Sequence, residues 1–334
     1  MEVMVLKIAL RPVTVTLLLV LFALSNISVF QCASSESRTV YLFSYFKGNG
    51  EDGLHLAYSK DGLTWQALND DQSILRPRVG EDKLMRDPCI IIGPDGKFHM
   101  VWTVSWNEKG IGYASSEDLV HWSKQQYIPV MEHEPNAENC WAPELFYDTA
   151  TQQYLIFGAT TIPGRFPDTD DQSNSGEPGE GRNHRMYYVT TKDFETFSDT
   201  RLFYDHGFNV IDATLYKDGD RYVMFLKDET NKPFTPQKNI RMATAAQAEG
   251  PYSPPSPAIT GDYWAEGPTA IRIQGQWFVY FDKYRLDEFG LIVSSDLQTW
   301  EDRSHELSMP KGIRHGTVFS VERHVFERLQ QHFE

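Results

Sequence analysis

Cysteine is scarce in this chain, with 3 residues among 334. A small secreted protein that depends on disulfides carries a larger, even set of cysteines at characteristic spacings. Cys32 lies near the amino terminus, which leaves Cys89 and Cys140 in the rest of the chain. These two would be able to pair in an oxidising compartment, but we expect two buried thiols. Apolar packing, rather than a disulfide framework, must therefore hold the fold.

Positive charge is the second shortage. Lysine and arginine number 31 against 46 aspartate and glutamate residues, which gives a formal net charge of −15. Nucleic acids and anionic membranes attract proteins of the opposite charge, so this acidic excess argues against both as partners. The sequence indicates no partner protein, and we expect a monomer. An acidic surface suits a secreted enzyme that acts on a neutral polymer.

Long hydrophobic runs are absent except at the amino terminus. There, Lys7 and Arg11 precede an apolar run over 13–30, and a polar segment follows. This order of segments is typical of a signal peptide. We therefore predict a signal peptide over 1–32 and a secreted or periplasmic protein. The alternatives are an uncleaved membrane anchor and a lipid anchor at Cys32, although VFQC lacks the usual small residue before the cysteine.

A sustained helical period is also missing from the rest of the chain, and a repeat of strand-like segments takes its place. Five segments each run from an apolar stretch to an aromatic residue, and we predict that each contains a strand closed by that aromatic residue. They are LHLAYSKDGLTW (54–65), IGYASSEDLVHW (111–122), MYYVTTKDFETF (186–197), IRMATAAQAEGPY (240–252) and GLIVSSDLQTW (290–300). Hairpin turns such as GPDGK (93–97) and KDGDR (217–221) link further strands ahead of them. The pattern predicts an all-β fold, a five-bladed β-propeller that forms a single catalytic domain over 33–334.

The two ends of the chain are expected to close the ring of blades. HGTVFSV (315–321) has no hairpin partner after it, and YLFSYF (41–46) has no inner strand before it, so we predict that they pair. A closed ring directs the start of every inner strand toward one central point. The motifs at these starts are RDP (86–88), WAPE (141–144), VIDA (210–213), EGP (266–268) and RHG (314–316). We therefore expect Asp87, Asp212 and Glu266 to converge.

Convergent carboxyl groups point to the hydrolysis of glycosidic bonds. One carboxyl group of such an enzyme protonates the leaving oxygen, and another activates water or attacks directly. A proton donor near neutral pH needs a raised pKa, which an apolar site or a neighbouring carboxylate supplies. A single acidic residue at a strand start or turn is often structural, so the inference depends on the shared position across blades.

The ordered series DP, WAPE, ID, EGP and HG, over about residues 40–321, resembles glycoside hydrolase family 43. The related fructan-cleaving propellers also carry RDP, but this chain lacks their NDPNG motif and has EGP in place of their Glu-Cys pair. The resemblance implies a five-bladed propeller that removes arabinofuranose or xylose from plant polysaccharides with inversion. It implies that Asp87 is the general base, that Glu266 is the general acid, and that Asp212 aligns Glu266 and keeps it protonated.

The resemblance also assigns His315 to the central channel, where it contacts substrate or helps to hold a metal ion. No cofactor is required by this reaction, and a structural calcium ion in the channel is the one metal that we expect. A structural histidine with satisfied hydrogen bonds is the alternative for His315.

Other residues are predicted to bind the oligo- or polysaccharide substrate. They are Glu144, Trp106, Trp141, Trp264 and Arg285. The three tryptophans are candidate platforms for sugar rings, with packing between blades as the alternative. Glu144 has a structural contact as its alternative, and Arg285 is placed to reach a hydroxyl or carboxylate. The loops over 163–185 and 228–239 would rim the site, the first of them as a lid or as a disordered excursion.

These observations together predict an inverting, exo-acting α-L-arabinofuranosidase. A β-xylosidase or a galactofuranosidase on the same scaffold is the alternative within enzymes. A non-catalytic carbohydrate-binding propeller is the alternative outside them. A purely structural propeller would lack a concave acidic pocket.

Overall fold

A computed structural model of the chain describes residues 38–169, 181–231 and 237–334. The strands in these ranges form five separate antiparallel sheets within one compact unit, Arg38–Glu334. The predicted all-β, five-bladed propeller is therefore confirmed. The predicted signal peptide and the lipidation site at Cys32 lie outside the described residues. None of the helices in the described ranges has the length and apolar character that a membrane span requires.

The blades follow the chain, except that its first strands belong to the last blade. These strands are β1 (Thr39–Tyr45), β2 (His55–Ser59) and β3 (Gln66–Ala67). Blade 1 comprises β4 (Arg86–Ile92), β5 (Phe98–Thr103), β6 (Ile111–Ser116) and β7 (Gln126–Ile128). Blade 2 comprises β8 (Trp141–Asp148), β9 (Gln153–Thr161), β10 (His184–Thr191) and β11 (Arg201–Tyr204). Blade 3 comprises β12 (Val210–Asp218), β13 (Arg221–Asp228) and β14 (Asn239–Ala245). Blade 4 comprises β15 (Glu266–Ile273), β16 (Gln276–Lys283), β17 (Glu288–Ser294) and β18 (Glu301–Asp302).

Blade 5 is built from both ends of the described chain. Its inner strand β19 (Thr317–Glu322) pairs antiparallel with β1, with Leu42 opposite Phe319. This pairing confirms the predicted closure of the ring. A helix that the sequence analysis did not predict, α1 (Arg323–Phe333), follows β19. Phe326 and Leu329 lie on one face of α1, because they are three positions apart, and both are buried in the core between blades 5 and 1.

Five apolar clusters hold the ring together, one at each interface between neighbouring blades. Val101 of blade 1 and Ile156 of blade 2 share one of these clusters, and Phe225 of blade 3 and Trp277 of blade 4 share another. Burial of one such side chain contributes about 1.5–3 kcal/mol relative to exposure. Each blade is thus stabilised on both of its faces, as a closed ring requires.

The two cysteines of the described ranges are buried in the cluster between blades 1 and 2. Cys89 and Cys140 are both free thiols there. The prediction of two buried thiols is confirmed.

The repeated aromatic residues occupy a different position from the predicted one. The third strands of four blades end at Ser59, Ser116, Thr191 and Ser294. An aspartate two residues further on then accepts hydrogen bonds from backbone N–H groups, as Asp61 does from Leu63 and Thr64. The prediction that an aromatic closes the strand is therefore wrong, because the aspartate side chain competes with the strand ladder and imposes a turn. The indole N–H of Trp65 donates to the carbonyl of Gly62, so this aromatic closes the turn instead.

Candidate active site

A repeated irregularity of the inner strands creates the site. The antiparallel register shifts near the start of β4, β8, β12 and β15. One residue at each shift has a left-handed backbone, with φ of 53° at Asp87, 44° at Ala142, 50° at Asp212 and 57° at Gly267. A bulge of this kind turns the side chain out of the regular alternation. Here the turned side chains of blades 1, 2 and 3 line one pocket.

The pocket has a volume of about 890 Å³ and is lined by residues of all five blades. Asp87, Asp212 and Glu266 all lie in its wall, so the predicted convergence of three carboxylates is confirmed. We predicted one shared position for all three acids, but only two of them share it and the third lies one residue earlier. Asp87 and Asp212 are the bulged residues of their strands, whereas Glu266 immediately precedes the bulged Gly267.

Gly267 explains why blade 4 differs. A Cβ atom on this glycine would lie 2.2 Å from the ring of His315. In blades 1 and 3 the side chain of the bulged residue points into the pocket as a carboxylate. In blade 4 the His315 ring fills that space, so the carboxylate is supplied by the preceding residue, Glu266. Both the positive φ and the crowding require glycine at this position.

Asp87 is held by two neighbours. The Thr103 hydroxyl donates a 2.8 Å hydrogen bond to Oδ2, and Oδ1 lies 3.3 Å from Nδ1 of His315. Thr103 also accepts the N–H of Ala142 at 2.9 Å, which links blade 1 to blade 2. The Asp87 carboxylate is thus fixed in direction while one edge of it faces the pocket.

Asp212 is buried, and it is tied to the backbone beside Glu266. Its Oδ2 accepts a 3.0 Å hydrogen bond from the N–H of Gly267. Burial raises the pKa of Asp212, and the carboxylates of Glu266 and Asp87 raise it further. The predicted alignment of Glu266 by Asp212 therefore has a physical basis in this hydrogen bond.

Glu266 lies between two cations. Nζ of Lys227 donates to Oε2 at 3.0 Å, and the Arg314 guanidinium donates to Oε1 at 2.9 Å. Burial favours the neutral acid, but these two cations outweigh it and hold the pKa of Glu266 well below its ordinary value. In this geometry the two adjacent positive charges stabilise the Glu266 carboxylate, so the protonation of Glu266 with the help of Asp212 stays a prediction.

Both cations also bind a second carboxylate. Lys227 lies 2.7 Å from Glu229, and Arg314 lies 2.6 Å from Asp282. The side chain of Asp282 is itself buried, and its pKa is raised to about 6 by that burial and by Glu266. Glu266 is therefore one member of a connected network of charges rather than an isolated acid.

His315 lies at the centre of the acidic groups. Burial favours the neutral ring, but four surrounding carboxylates outweigh it and raise the pKa of His315. They belong to Asp87, Asp212, Glu266 and Glu144. Among residues 38–169, 181–231 and 237–334, no three His, Cys, Asp or Glu side chains form a metal-binding group. The described side chains thus do not supply a ligand set around His315, and the calcium ion stays a prediction.

Glu144 lies beneath the pocket rather than in its wall. It is 7% exposed and accepts hydrogen bonds from Thr214 at 3.0 Å and Thr317 at 3.2 Å. Burial raises its pKa to about 7. The structural alternative for Glu144 therefore agrees with the geometry, since it joins blades 2, 3 and 5 below the site.

A family model described as a probable glycosyl hydrolase domain, related to glycoside hydrolase family 43, matches residues 36–327. The chain belongs to this family. An α-L-arabinofuranosidase of Bifidobacterium longum is 24% identical to it over 189 residues. The match covers 51% of this chain and 17% of that relative, so the chain spans less than a fifth of the relative's length.

Two solved structures of similar fold are named as enzymes that act on arabinose-containing substrates or release arabinofuranose. The α-L-arabinanase of Cellvibrio cellulosa complexed with arabinohexaose is 15% identical, with 84% of this chain and 96% of that chain covered at a TM-score of 0.55. The α-L-arabinofuranosidase of Lactobacillus brevis is 18% identical, with 66% and 72% covered at a TM-score of 0.50. At these identities the likeness establishes the fold alone.

The predicted sugar platforms of this glycosyl hydrolase domain divide into two groups. Trp106 and Trp141 line the pocket, with their ring centroids 5.3 Å apart in an edge-to-face arrangement. Trp106 is 40% exposed, so one of its surfaces is available to a ligand. Trp264 and Arg285 do not line the pocket and contact each other instead, with the guanidinium 4.6 Å from the ring centroid.

The sequence analysis missed the cations of the pocket. They are Arg86, Arg182, Lys227, Lys238 and Arg314. Arg86 and Arg314 stand inside the RDP and RHG motifs, and Lys227 ends an apolar strand, where a charged side chain is costly unless it is paired. The positions of these three residues in the sequence could have indicated that they belong to the site.

The two predicted rim loops reach the pocket where they are described. Gly181 and Arg182 of the first loop line it, and so do Glu229, Asn231 and Lys238 of the second. Residues 170–180 and 232–236 lie outside the described ranges. The choice between a lid and a disordered excursion for 163–185 therefore stays open.

Proposed function

We propose that this family member is an inverting, exo-acting glycosidase that releases α-L-arabinofuranosyl residues from oligo- or polysaccharides. The observation that carries the proposal is the meeting of Asp87, Asp212 and Glu266, from three different blades, in one pocket. The arabinofuranosidase and arabinanase relatives support the choice of sugar. With the leader predicted for 1–32, we also propose that the enzyme acts outside the cytoplasm.

Asp87 is the proposed general base. Its carboxylate is oriented by Thr103 and faces the pocket, as a group that activates water must. His315, 3.3 Å away, fixes the other carboxylate oxygen. Asp87 and Glu266 come from blades 1 and 4, and inversion requires about 6.5–9.5 Å between their carboxyl groups to leave room for water.

Glu266 is the proposed general acid, and its two cations must release it before it can donate a proton. A sugar in the pocket would compete with Lys227 and Arg314 for Glu266. Each cation would keep a carboxylate, Glu229 or Asp282, so neither would become an unpaired buried charge. Once Glu266 is separated from these two cations, burial and Asp212 raise its pKa against the remaining opposite effect of His315.

The test is Glu266→Gln, measured on an unactivated arabino-oligosaccharide such as arabinotriose. Loss of the acid is expected to lower kcat/KM by about 10²–10⁴-fold, and by less on a 4-nitrophenyl α-L-arabinofuranoside, whose leaving group needs little protonation. Glu301→Gln, at an exposed carboxyl group of the same blade, serves as the control and should keep full activity. Proton NMR of the first product should show the inverted anomer.

Two results would contradict the proposal. If Glu266→Gln cleaved arabinotriose within threefold of the unmodified protein, Glu266 would not be the acid. If the unmodified protein released no sugar from aryl arabinofuranosides, xylosides or galactofuranosides but bound oligosaccharides, the carbohydrate-binding propeller would replace the enzyme. Release of xylose or galactofuranose alone would keep the reaction and change the sugar.

A further inference from the structure

Two arginines of the pocket wall have no role in the proposed reaction. Arg86 begins β4 of blade 1, and Arg182 lies just before β10 of blade 2. The guanidinium of Arg86 is 4.3 Å from the ring centroid of Trp106, and that of Arg182 is 4.7 Å from the ring centroid of Trp141. Each guanidinium group thus lies over one ring, and the two rings pack edge to face, which brings both cations to one pair of aromatic side chains.

Neither arginine has a carboxylate partner among the described residues. Arg86 donates a 3.1 Å hydrogen bond to the side-chain oxygen of Asn49. Arg182 donates a 3.0 Å hydrogen bond to the carbonyl of Trp106 and another to the side chain of Asn107. All three acceptors are neutral. A guanidinium group has five N–H donors, so most of the donors on this pair are not used by the described protein groups.

The other cations of the pocket all form ion pairs with carboxylates. Lys227 and Lys238 both bind Glu229, and Arg314 binds Glu266 and Asp282. A chain with 46 acidic and 31 basic residues does not lack carboxylates with which to neutralise Arg86 and Arg182. Burial lowers the pKa of Arg182 and outweighs the opposite effect of the Glu138 carboxylate, which forms no ion pair with it among the described residues. A negatively charged ligand would compensate for that burial.

We propose that Arg86 and Arg182 form a subsite for a negatively charged substituent of the substrate, a uronate carboxylate or a sulfate ester, carried by a sugar that stacks on Trp106. The planar fork of a guanidinium group matches both anions in two-point contacts, and it matches a neutral hydroxyl group less well. This inference rests on the proposed glycosidase function and narrows its substrate to acidic glycans. The expectation of a neutral polymer, drawn from the net charge, is revised, because the local charge of the subsite is positive.

The experiment compares charged and neutral members of two probe pairs. The first pair is trigalacturonic acid and its carboxyl-reduced trisaccharide. The second is a sulfated carrageenan disaccharide and its desulfated form. Isothermal titration of the full chain at 50 mM and 300 mM NaCl measures each dissociation constant. We expect the charged member of at least one pair to bind ten times more tightly or better, with the advantage reduced at high salt.

Four variants locate the effect. Arg86→Gln and Arg182→Gln should each remove most of the preference for the charged probe, and Arg182→Lys should restore part of it. Arg221→Gln serves as the control, because Arg221 is exposed at the hairpin of blade 3, at the opposite end of the strands from the pocket. Thermal unfolding of each variant shows whether it is folded.

The outcomes separate this inference from the proposed function. Equal binding of charged and neutral probes, no binding of either charged probe, or equal losses for both members in the glutamine variants would overturn the subsite. The pair that shows the preference identifies the carboxylate or the sulfate. Glu266→Gln should keep the preference while it loses turnover. A protein that hydrolyses no glycoside but keeps the preference would contradict the enzyme and support the subsite.

Discussion

The two ends of the inner strands use the same irregular backbone for different purposes. At the far end, Gly96, Gly219 and Gly275 have left-handed φ angles in hairpin turns, and nothing lies within 4 Å of a Cβ atom built on them. At the pocket end, Asp87 and Asp212 adopt similar angles although both carry side chains. Left-handed backbone costs an ordinary residue about 1–2 kcal/mol. Glycine avoids this cost in the hairpins of blades 1 and 3, whereas Gln152 and Gln274 accept it in the hairpins of blades 2 and 4. At the pocket end Asp87 and Asp212 accept it, and there it aims two carboxylates into one pocket.

The two ends also differ in how they treat charge. The aspartate of each far-end turn accepts several N–H groups near water, and these contacts lower the pKa of Asp118 to about 2 against the opposing effect of burial. The pocket end buries Asp212, Glu144 and Asp282, and burial raises the pKa of all three. Ionised carboxyl groups therefore stabilise the far end, whereas ionisation of these three groups is unfavourable at the pocket end. Glu266, which is paired with two cations, is the exception. In each blade the far-end turn thus contributes to stability, and the pocket end carries the groups proposed to act on substrate.

The largest expected effect comes from two glycines of the same strand pair. Gly275→Ala should destabilise the protein by about 1 kcal/mol, because only the left-handed angle opposes the methyl group. Gly267→Ala should cost about 1–3 kcal/mol more, because its methyl group would overlap the His315 ring. Urea unfolding measures both, and kcat/KM should fall only for Gly267→Ala.

A double substitution makes this contrast sharper. In a His315→Gly background the ring is gone, and so is the His315 Cβ atom, which would lie 2.5 Å from the added methyl group. Gly267→Ala should then cost about as much as Gly275→Ala. The coupling energy between the two sites gives the contribution of crowding alone. Equal costs of the two glycine substitutions in the unmodified background would show that the pocket end is no more constrained than the far end.

The sequence predicted much of the pocket end, because its motifs recur at equivalent positions. RDP, VIDA and EGP each open an inner strand, and ring closure followed from unpaired strands at the two chain ends. The charge network around Glu266 was not predictable in the same way. Lys227 and Arg314 come from two other blades, and their meeting depends on strand register and on bulges that no local pattern specifies.

The far end was predicted less well, for a local reason. Segments such as IGYASSEDLVHW read as one strand because an apolar stretch begins them and an aromatic residue ends them. The structure ends the strand at Ser116, since the hydroxyl group and Asp118 together accept the following N–H groups. The repeated Ser-x-Asp or Thr-x-Asp spacing was the signal for a turn.

The next expected effect is on the pH dependence of stability. Burial raises the pKa of Glu144 from 4.5 to about 7 in the folded protein. Its favourable contribution is therefore complete below about pH 4.5 and is lost as the pH rises through 7. Between pH 5 and 7 this group should make the free energy of unfolding fall with pH by up to about 1.4 kcal/mol per unit. Glu144→Gln, which stays neutral, should remove that part of the slope.

Urea unfolding at pH 5, 6, 7 and 8 measures the slope. Asp212 and Asp282 should leave a residual slope of the same sign, because their pKa values are also raised. Glu301→Gln, at an exposed position, should leave the slope unchanged. A Glu144→Gln protein with the full slope of the unmodified protein would show that Glu144 is not a buried acid of raised pKa.

The smallest expected effect compares one hydrogen-bonding side chain from each end of blade 1. Asp118→Ala removes the acceptor of the Val120 and His121 N–H groups and should cost about 1 kcal/mol, with kcat/KM unchanged, because Asp118 lies at the end away from the pocket. Thr103→Val removes the hydroxyl that orients Asp87 and should cost a similar amount, but it should also lower kcat more than it raises KM. Equal effects of both substitutions on kcat would mean that the two ends are not functionally separate, since a change in the far-end turn would then reach Asp87 through the whole length of the sheet.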